Sequence, residues 1–246
     1  MTKPIHCIDD ARDYASRRLP RIMFDYVDGA AGAEIANQLN QDRIAQLRLM
    51  PRVLVNVDER DLSTQFLGRE WNLPFGIAPM GMCNLTWPGA DRMLADAAKR
   101  FNIPMTLSTM SSTSLEQVAD WTKDNGWFQL YVGQSETQAM QLVQRAEDSG
   151  YSTLMLTVDV PQVAPRIRDL KNGFKAPLRI GPRQFLDFAC HPKWSLSTLF
   201  AGAPALANFA PGEFDRDAGR GLVDWNFLDR LRHRWKGHLV VKGVLS

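Results

Sequence analysis

Thr153-Leu154-Met155-Leu156-Thr157-Val158-Asp159 is a run of apolar residues that does not alternate with polar ones and stops at an acid before Val160-Pro161. A strand of this texture is covered on both faces, which is the property of a parallel sheet. Working outward, four more runs read the same way: Leu73–Pro79, Met105–Ser108, Trp127–Val132 and His238–Val244. Helical stretches at 88–101, 114–124 and 135–149 separate the first four. Two of these open with a capping pattern, Ser114-x-x-Gln117 and Ser135-x-x-Gln138. Gly126 and Gly150 stand where a helix would end. Strand starts recur at roughly 20–30 residues, the spacing of repeated βα units. Upstream, residues 7–48 read as three helices: one with an acidic first turn at Asp9-Asp10, one starting at Pro20, and one from about Glu34 to Leu47 with Ile35, Leu39, Ile44 and Leu47 on one face.

This predicts one α/β domain over 1–246: N-terminal helices at 7–48, then a partial βα barrel at 73–246 with about five strands. The stretch 160–223 shows no period and is expected to be a long loop, a kind that is usually functional or mobile. It holds nine Lys/Arg against five Asp/Glu. Between 174 and 200, Lys175, Arg179, Arg183 and Lys193 alternate with Phe185, Leu186, Phe188, Trp194 and Leu199. The plainer expectation for this stretch is packing on the barrel or a neighbouring subunit; the sharper one is a peripheral membrane patch.

Composition excludes several classes. Net charge is +2 and there is no long basic run, so nucleic acid is not expected as a partner. Three cysteines lie far apart with no CxxC pair, which argues against a disulfide framework or a zinc site. The first residues show no apolar leader core, and no apolar run is long enough to span a membrane. A reducing, cytoplasmic setting is expected, with the membrane's inner face as the alternative for the 174–200 patch.

Each apolar run ends in unusual residues: Pro79-Met80-Gly81, Ser108, Gln129 with Tyr131, Thr157 with Asp159, and Lys242. Polar groups in apolar strands are costly unless partnered. In a βα barrel the carboxyl ends of the strands carry the active site. Ser108, Thr157 and Asp159 singly could each be a cap, a β-former or a strand terminator. Gln129 between Phe128 and Leu130 is harder to explain by packing. Lys242 after three apolar residues calls for an anionic partner.

Together these segments resemble the FMN-dependent 2-hydroxy-acid dehydrogenases and oxidases. The residues that carry the likeness are Phe24-Asp25-Tyr26, Ile77-Ala78-Pro79, Thr106–Thr109, Phe128–Val132, Leu156–Asp159 with Pro161, Arg166-x-Arg168-Asp169 and Val241–Val244. The resemblance implies a (β/α)8 barrel, of which about the first five strands are present, with FMN at its carboxyl face. It implies that Pro79, Met80 and Gly81 border the flavin. Ser108, Gln129 and Thr157 would bond its polar edge, and Lys242 would lie beside the ring position that gains negative charge. Tyr26 and Arg166 would bind the substrate carboxylate, Tyr131 would contact the substrate oxygen, and Asp159 would orient a catalytic histidine. The substrate implied is a small L-2-hydroxy acid. The acceptor stays open among quinone, cytochrome and oxygen, and a homo-oligomer is implied for the full-length family chain. The resemblance also places the histidine, a second arginine and the flavin-phosphate site after the fifth strand. The expectation is therefore that this chain alone binds FMN weakly and does not turn over. Met80 and Ala164-Pro165 depart from the family pattern, which implies a shifted substrate. The rival readings are a Schiff-base barrel using Lys242, and an inert fragment.

Overall fold

A computed structural model describes residues 4–133, 135–174, 180–210, 213 and 221–244. In chain order the helices and strands are α1 (Ile8–Arg18), α2 (Arg21–Asp28), α3 (Ile35–Ala45), β1 (Thr64–Phe66), β2 (Arg69–Trp71), α4 (Cys83–Thr86), α5 (Ala90–Phe101) and β3 (Met105–Ser108). They continue with α6 (Leu115–Thr122), β4 (Gly126–Leu130), α7 (Glu136–Asp148), β5 (Thr153–Thr157), α8 (Ile167–Asn172), α9 (Pro182–Cys190), α10 (Pro192–Ala201), α11 (Trp225–Arg234) and β6 (His238–Lys242). The chain divides into two compact units. The first comprises Met1–Glu59, Thr86–Pro88 and Ala164–Ala203; the second comprises Arg60–Leu85, Gly89–Val163 and Pro204–Ser246.

The second unit is built on a parallel sheet of four strands in the order β3-β4-β5-β6. Sequential order with a helix after each of the first strands is an arc of a βα barrel, and the described residues do not close it. Side chains alternate across the sheet. Leu107, Phe128, Leu130, Leu154 and Leu156 are fully buried on one face, in a cluster with Ala95, Leu115, Val118, Leu142, Val143, Phe227 and Leu231 of the covering helices. The opposite face carries Thr106, Trp127, Met155, Val240 and Lys242, which line a cavity of about 530 Å³ with Phe66, Trp71 and the 73–79 segment. Caps fix the helix starts: Ser114 Oγ accepts from Gln117 N (3.2 Å) and Ser135 Oγ from Gln138 N (3.3 Å). Each such cap is worth about 1 kcal/mol.

The hairpin β1–β2 closes the amino ends of the strands. Its Arg69 donates to Asn102 Oδ1 (3.1 Å) and Asn125 Oδ1 (3.0 Å), while Asn125 Nδ2 donates to the carbonyls of Ala98 (3.2 Å) and Ile103 (3.1 Å). Trp71 meets Trp127 edge-on, with ring centroids 6.1 Å apart.

Several expectations are corrected. The 73–79 run is not a ladder strand. Only Ile77 bridges to Met105, with Ile77 N donating to Pro104 O at 2.8 Å, because Pro74 and Pro79 have no N–H to offer. Gly150 follows α7 with φ +83°, as read; Gly126 likewise ends a helical turn, the 3-10 turn Lys123–Asn125, and is extended where it opens β4. It is glycine because a Cβ there would lie 2.4 Å from Thr122 Oγ1. The 160–223 stretch is not irregular throughout: α8, α9 and α10 lie in it, the last two started by Pro182 and Pro192. The helix α3 forms, yet Ile35, Leu39, Ile44 and Leu47 are all exposed. Lys175 and Arg179, named in the basic and apolar patch, lie outside the described residues.

In the first unit, α2 packs against α8. Arg168 joins them by ion pairs to Asp28 (2.7 Å) and Glu34, and Asn172 Nδ2 donates to Asp25 Oδ2 (2.6 Å). The Arg12 and Arg168 guanidiniums hold the Asp28 carboxyl below the usual carboxylate range; Arg168 does the same for Glu34.

Candidate active site

The parallel register sets one special residue at the end of each strand. Ser108 ends β3, Gln129 sits one residue before the end of β4, Thr157 ends β5 and Lys242 ends β6. Ser108 pairs with Gln129 and Thr157 with Lys242 in the ladder, so all four point from one face at the carboxyl ends. Ser108, Gln129 and Thr157 are buried. Their hydrogen bonds run sideways across the strands. Gln129 Nε2 donates to Thr157 Oγ1 at 2.9 Å, and Gln129 Oε1 accepts from Thr109 N at 3.3 Å. Ser108 Oγ accepts from Met110 N at 3.1 Å. Ser108 and Thr157 each accept one bond, so each retains a hydroxyl proton to donate.

Lys242 finds its anionic partner in Asp159, with Nζ 3.1 Å from Oδ2 and both side chains about a third exposed. Gly243 makes the pair possible. Its φ is +108°, and a Cβ there would lie 2.4 Å from Asp159 Cβ. Asp159, read as an orienter of a histidine, is thus the counter-ion of Lys242 in this structure; none of the four histidines is hydrogen-bonded to it among the described residues. The backbone of Tyr131 donates to Thr109 Oγ1 at 3.0 Å, which ties the tail of β4 to the loop after β3. Pro79 borders the cavity, Met80 is exposed, and Gly81 faces Met110, whose Cβ would lie 3.0 Å from an added Cβ.

Tyr26 and Arg166 belong to the first unit, and the other candidates to the second. Within that unit they meet: the Arg166 guanidinium lies 5.3 Å from the Tyr26 ring centroid. Arg166 Nη2 donates to the carbonyls of Tyr26 and Gly29 (3.0 Å to the latter), and Nε is 2.9 Å from Asp169 Oδ2. Nη1 makes no hydrogen bond among the described residues. The brace leaves that edge of the planar fork for a ligand.

Sequence reading passed over two residues of this region. Thr109 lies within the quoted Thr106–Thr109 motif, but its bridging of Gln129 and Tyr131 needs the sheet register to be seen. Asp91 looks like an ordinary acid in a helix's first turn, whereas it is almost wholly buried.

A flat ring with hydrogen-bonding atoms along one edge and negative charge to be held at one end fits this donor set: two hydroxyls, an amide and an ammonium, one from each adjacent strand. A family model described as FMN-dependent dehydrogenase matches residues 15–246. An (S)-mandelate dehydrogenase of Pseudomonas putida is 36% identical over 255 residues, covering 100% of this chain and 65% of the relative. An L-lactate dehydrogenase of Pseudomonas syringae pv. syringae (strain B728a) is 33% identical over 258 residues, covering 97% of this chain and 67% of the relative. The crystal structure of a monotopic membrane protein, (S)-mandelate dehydrogenase, matches with a TM-score of 0.92 at 36% identity, over 99% of this chain and 68% of that one. The chain thus spans about 65% of the length of the mandelate dehydrogenase it matches in sequence.

Proposed function

The chain belongs to the family of FMN-dependent dehydrogenases, and from that premise we propose that it carries the flavin-edge and carboxylate-binding parts of an enzyme that oxidises an L-2-hydroxy acid to the 2-oxo acid. The observation that supports this most is the row Ser108, Gln129, Thr157 and Lys242, one residue on each of four adjacent parallel strands.

FMN, when bound, supplies the acceptor for the electron pair that leaves the substrate's α-carbon. The chain's own residues do the rest. The hydroxyls of Ser108 and Thr157 donate to the ring's polar edge, and Gln129 is held ready by Thr109 and Thr157. Lys242 holds a fixed positive charge where negative charge grows, and Asp159 keeps that ammonium in place. The ion pair also engages the lysine nitrogen that a Schiff-base role would need free. The backbone at 79–81 would border the ring, and Tyr131 would contact the substrate oxygen. Arg166 offers Nη1 to the substrate carboxylate and Tyr26 adds its hydroxyl, a pairing suited to a planar anion. The relatives named for mandelate and lactate bracket the substrate class.

The helices α9 and α10 support a second element of the proposal, a resting place on a membrane surface. Phe185, Leu186, Leu199 and Phe200 are exposed by 65%, 65%, 74% and 86%, with Arg183 and Lys193 among them. None of the described helices is long and apolar enough to cross a membrane. Such a surface binds by apolar insertion plus attraction to anionic headgroups.

Titration of the purified chain with FMN, followed by anaerobic addition of (S)-mandelate or L-lactate, tests the reading. Quenched flavin fluorescence with a saturable isotherm is expected. An FMN spectrum unchanged by the protein at any ratio would sink it.

A further inference from the structure

Asp91 is 1% exposed and carries a carboxylate that no packing argument requires. It stands in the first turn of α5 but does not cap it: the cap position is Gly89, and no side chain caps the helix start. Its Oδ2 instead gathers side chains from two separate loops. Asn84 Nδ2 reaches it at 3.1 Å from the segment that follows Pro79-Met80-Gly81. Ser111 Oγ (3.1 Å), Ser112 Oγ (3.4 Å) and Thr113 Oγ1 (2.8 Å) reach it from the loop that follows Ser108. The loops are cross-tied around it: Asn84 Nδ2 donates to Thr113 Oγ1 (2.9 Å), Asn84 N to Ser112 Oγ (3.3 Å) and Met82 N to Met110 O (3.0 Å). Asn84 Oδ1 in turn accepts from Asp91 N at 3.2 Å.

A buried ion held by several donors is often no more stabilising than an apolar replacement; what it supplies is a single geometry. Here that geometry concerns two loops, one after the Ile77 bridge and one after β3, bearing Pro79–Gly81 and Ser108–Met110. We propose that Asp91 is a positioning residue for the cofactor edge: it fixes the backbone at 79–81 and the Ser108–Met110 turn in the one arrangement that accepts the ring. This rests on the flavin-binding reading above. The prediction specific to Asp91 is that its removal loosens these loops while leaving the sheet intact.

The test compares Asp91→Asn and the milder Thr113→Val with Asn125→Ala, which cuts hydrogen bonds at the opposite, amino ends of the same strands. Two readouts are taken on the whole chain: amide hydrogen exchange without cofactor, and the FMN dissociation constant by fluorescence quenching. Asp91→Asn is expected to raise exchange at least tenfold at 80–84 and 109–113 only, and to weaken FMN binding about tenfold. Thr113→Val should do both to a smaller degree. Asn125→Ala, at an equal loss of melting temperature, should leave FMN affinity within twofold. Exchange in Asp91→Asn that rises evenly through β3 and β4, or an FMN affinity equally lowered by Asn125→Ala, overturns the inference. If the unaltered chain shows no FMN binding, the functional reading falls, and the exchange pattern alone still decides whether Asp91 positions these loops.

Discussion

Gly243→Ala is the sharpest perturbation of the lysine end of the site. The backbone at this position has φ +108°, which an alanine adopts at a cost of about 1–3 kcal/mol. The new methyl would also lie 2.4 Å from Asp159 Cβ, 2.6 Å from its Cγ and 2.9 Å from its backbone N. Carbon atoms in contact sit about 3.5–4.0 Å apart, so Asp159 must withdraw by about 1 Å. Withdrawal parts it from Lys242, and for a pair this exposed that adds only about 0.2–1 kcal/mol. The sum is about 1–4 kcal/mol, a fall of roughly 2–16 °C in melting temperature for a chain of this size. Thermal unfolding by circular dichroism measures it. A cycle with Asp159→Gly separates the causes, because that change removes Cβ and Cγ and relieves the two shortest overlaps. A coupling of about 1 kcal/mol or more is expected between the two changes. Strict additivity, or a Gly243→Ala chain as stable as the parent, would refute the close approach of Asp159 to the end of β6.

Lys242→Met should leave the fold intact and lower the midpoint potential of bound FMN, since the cation near the ring is lost; spectroelectrochemistry reads this, and an unmoved potential removes Lys242 from the flavin edge. Acid should weaken the first unit. Asp28 and Glu34 have carboxyls lowered by arginine, so their stabilisation is full above the unfolded values of about 4 and is lost as pH falls through the lowered folded values. Arg168→Ala should flatten that acid limb in a pH series of urea melts. Leu199→Asp with Phe200→Asp should reduce flotation with anionic vesicles several-fold, and equal flotation of both proteins would return α10 to a purely structural role.

Much of this was legible from residue order because the signals were local. β3, β4, β5 and β6 are unbroken apolar runs, and Ser114, Ser135 and Gly150 mark helix ends by chemistry that acts within a few residues. The 73–79 run has the same apolar texture, but two prolines withhold the ladder that texture suggests. The hairpin at 64–71 was too short to carry a period, although Leu67-Gly68, both at positive φ, formed its turn. Pro182 and Pro192 sit where helices begin, yet their proline content reads more readily as loop. Site residues at strand ends were visible because polarity there is costly. The partners of Arg166, Lys242 and Asp91 were not, since each pairing is settled by three-dimensional neighbours rather than by spacing.

The amide and guanidinium clamp of Arg69, Asn102 and Asn125 lies at the amino ends of the strands, while the residues proposed to touch ligand lie at the carboxyl ends. Among the described residues the two ends share strands but none of the side-chain hydrogen bonds named above. Exchanges at the carboxyl ends of these strands therefore leave the hydrogen bonds of the clamp in place. A scaffold fastened at one end leaves the other end free to vary by small steps without loosening the sheet.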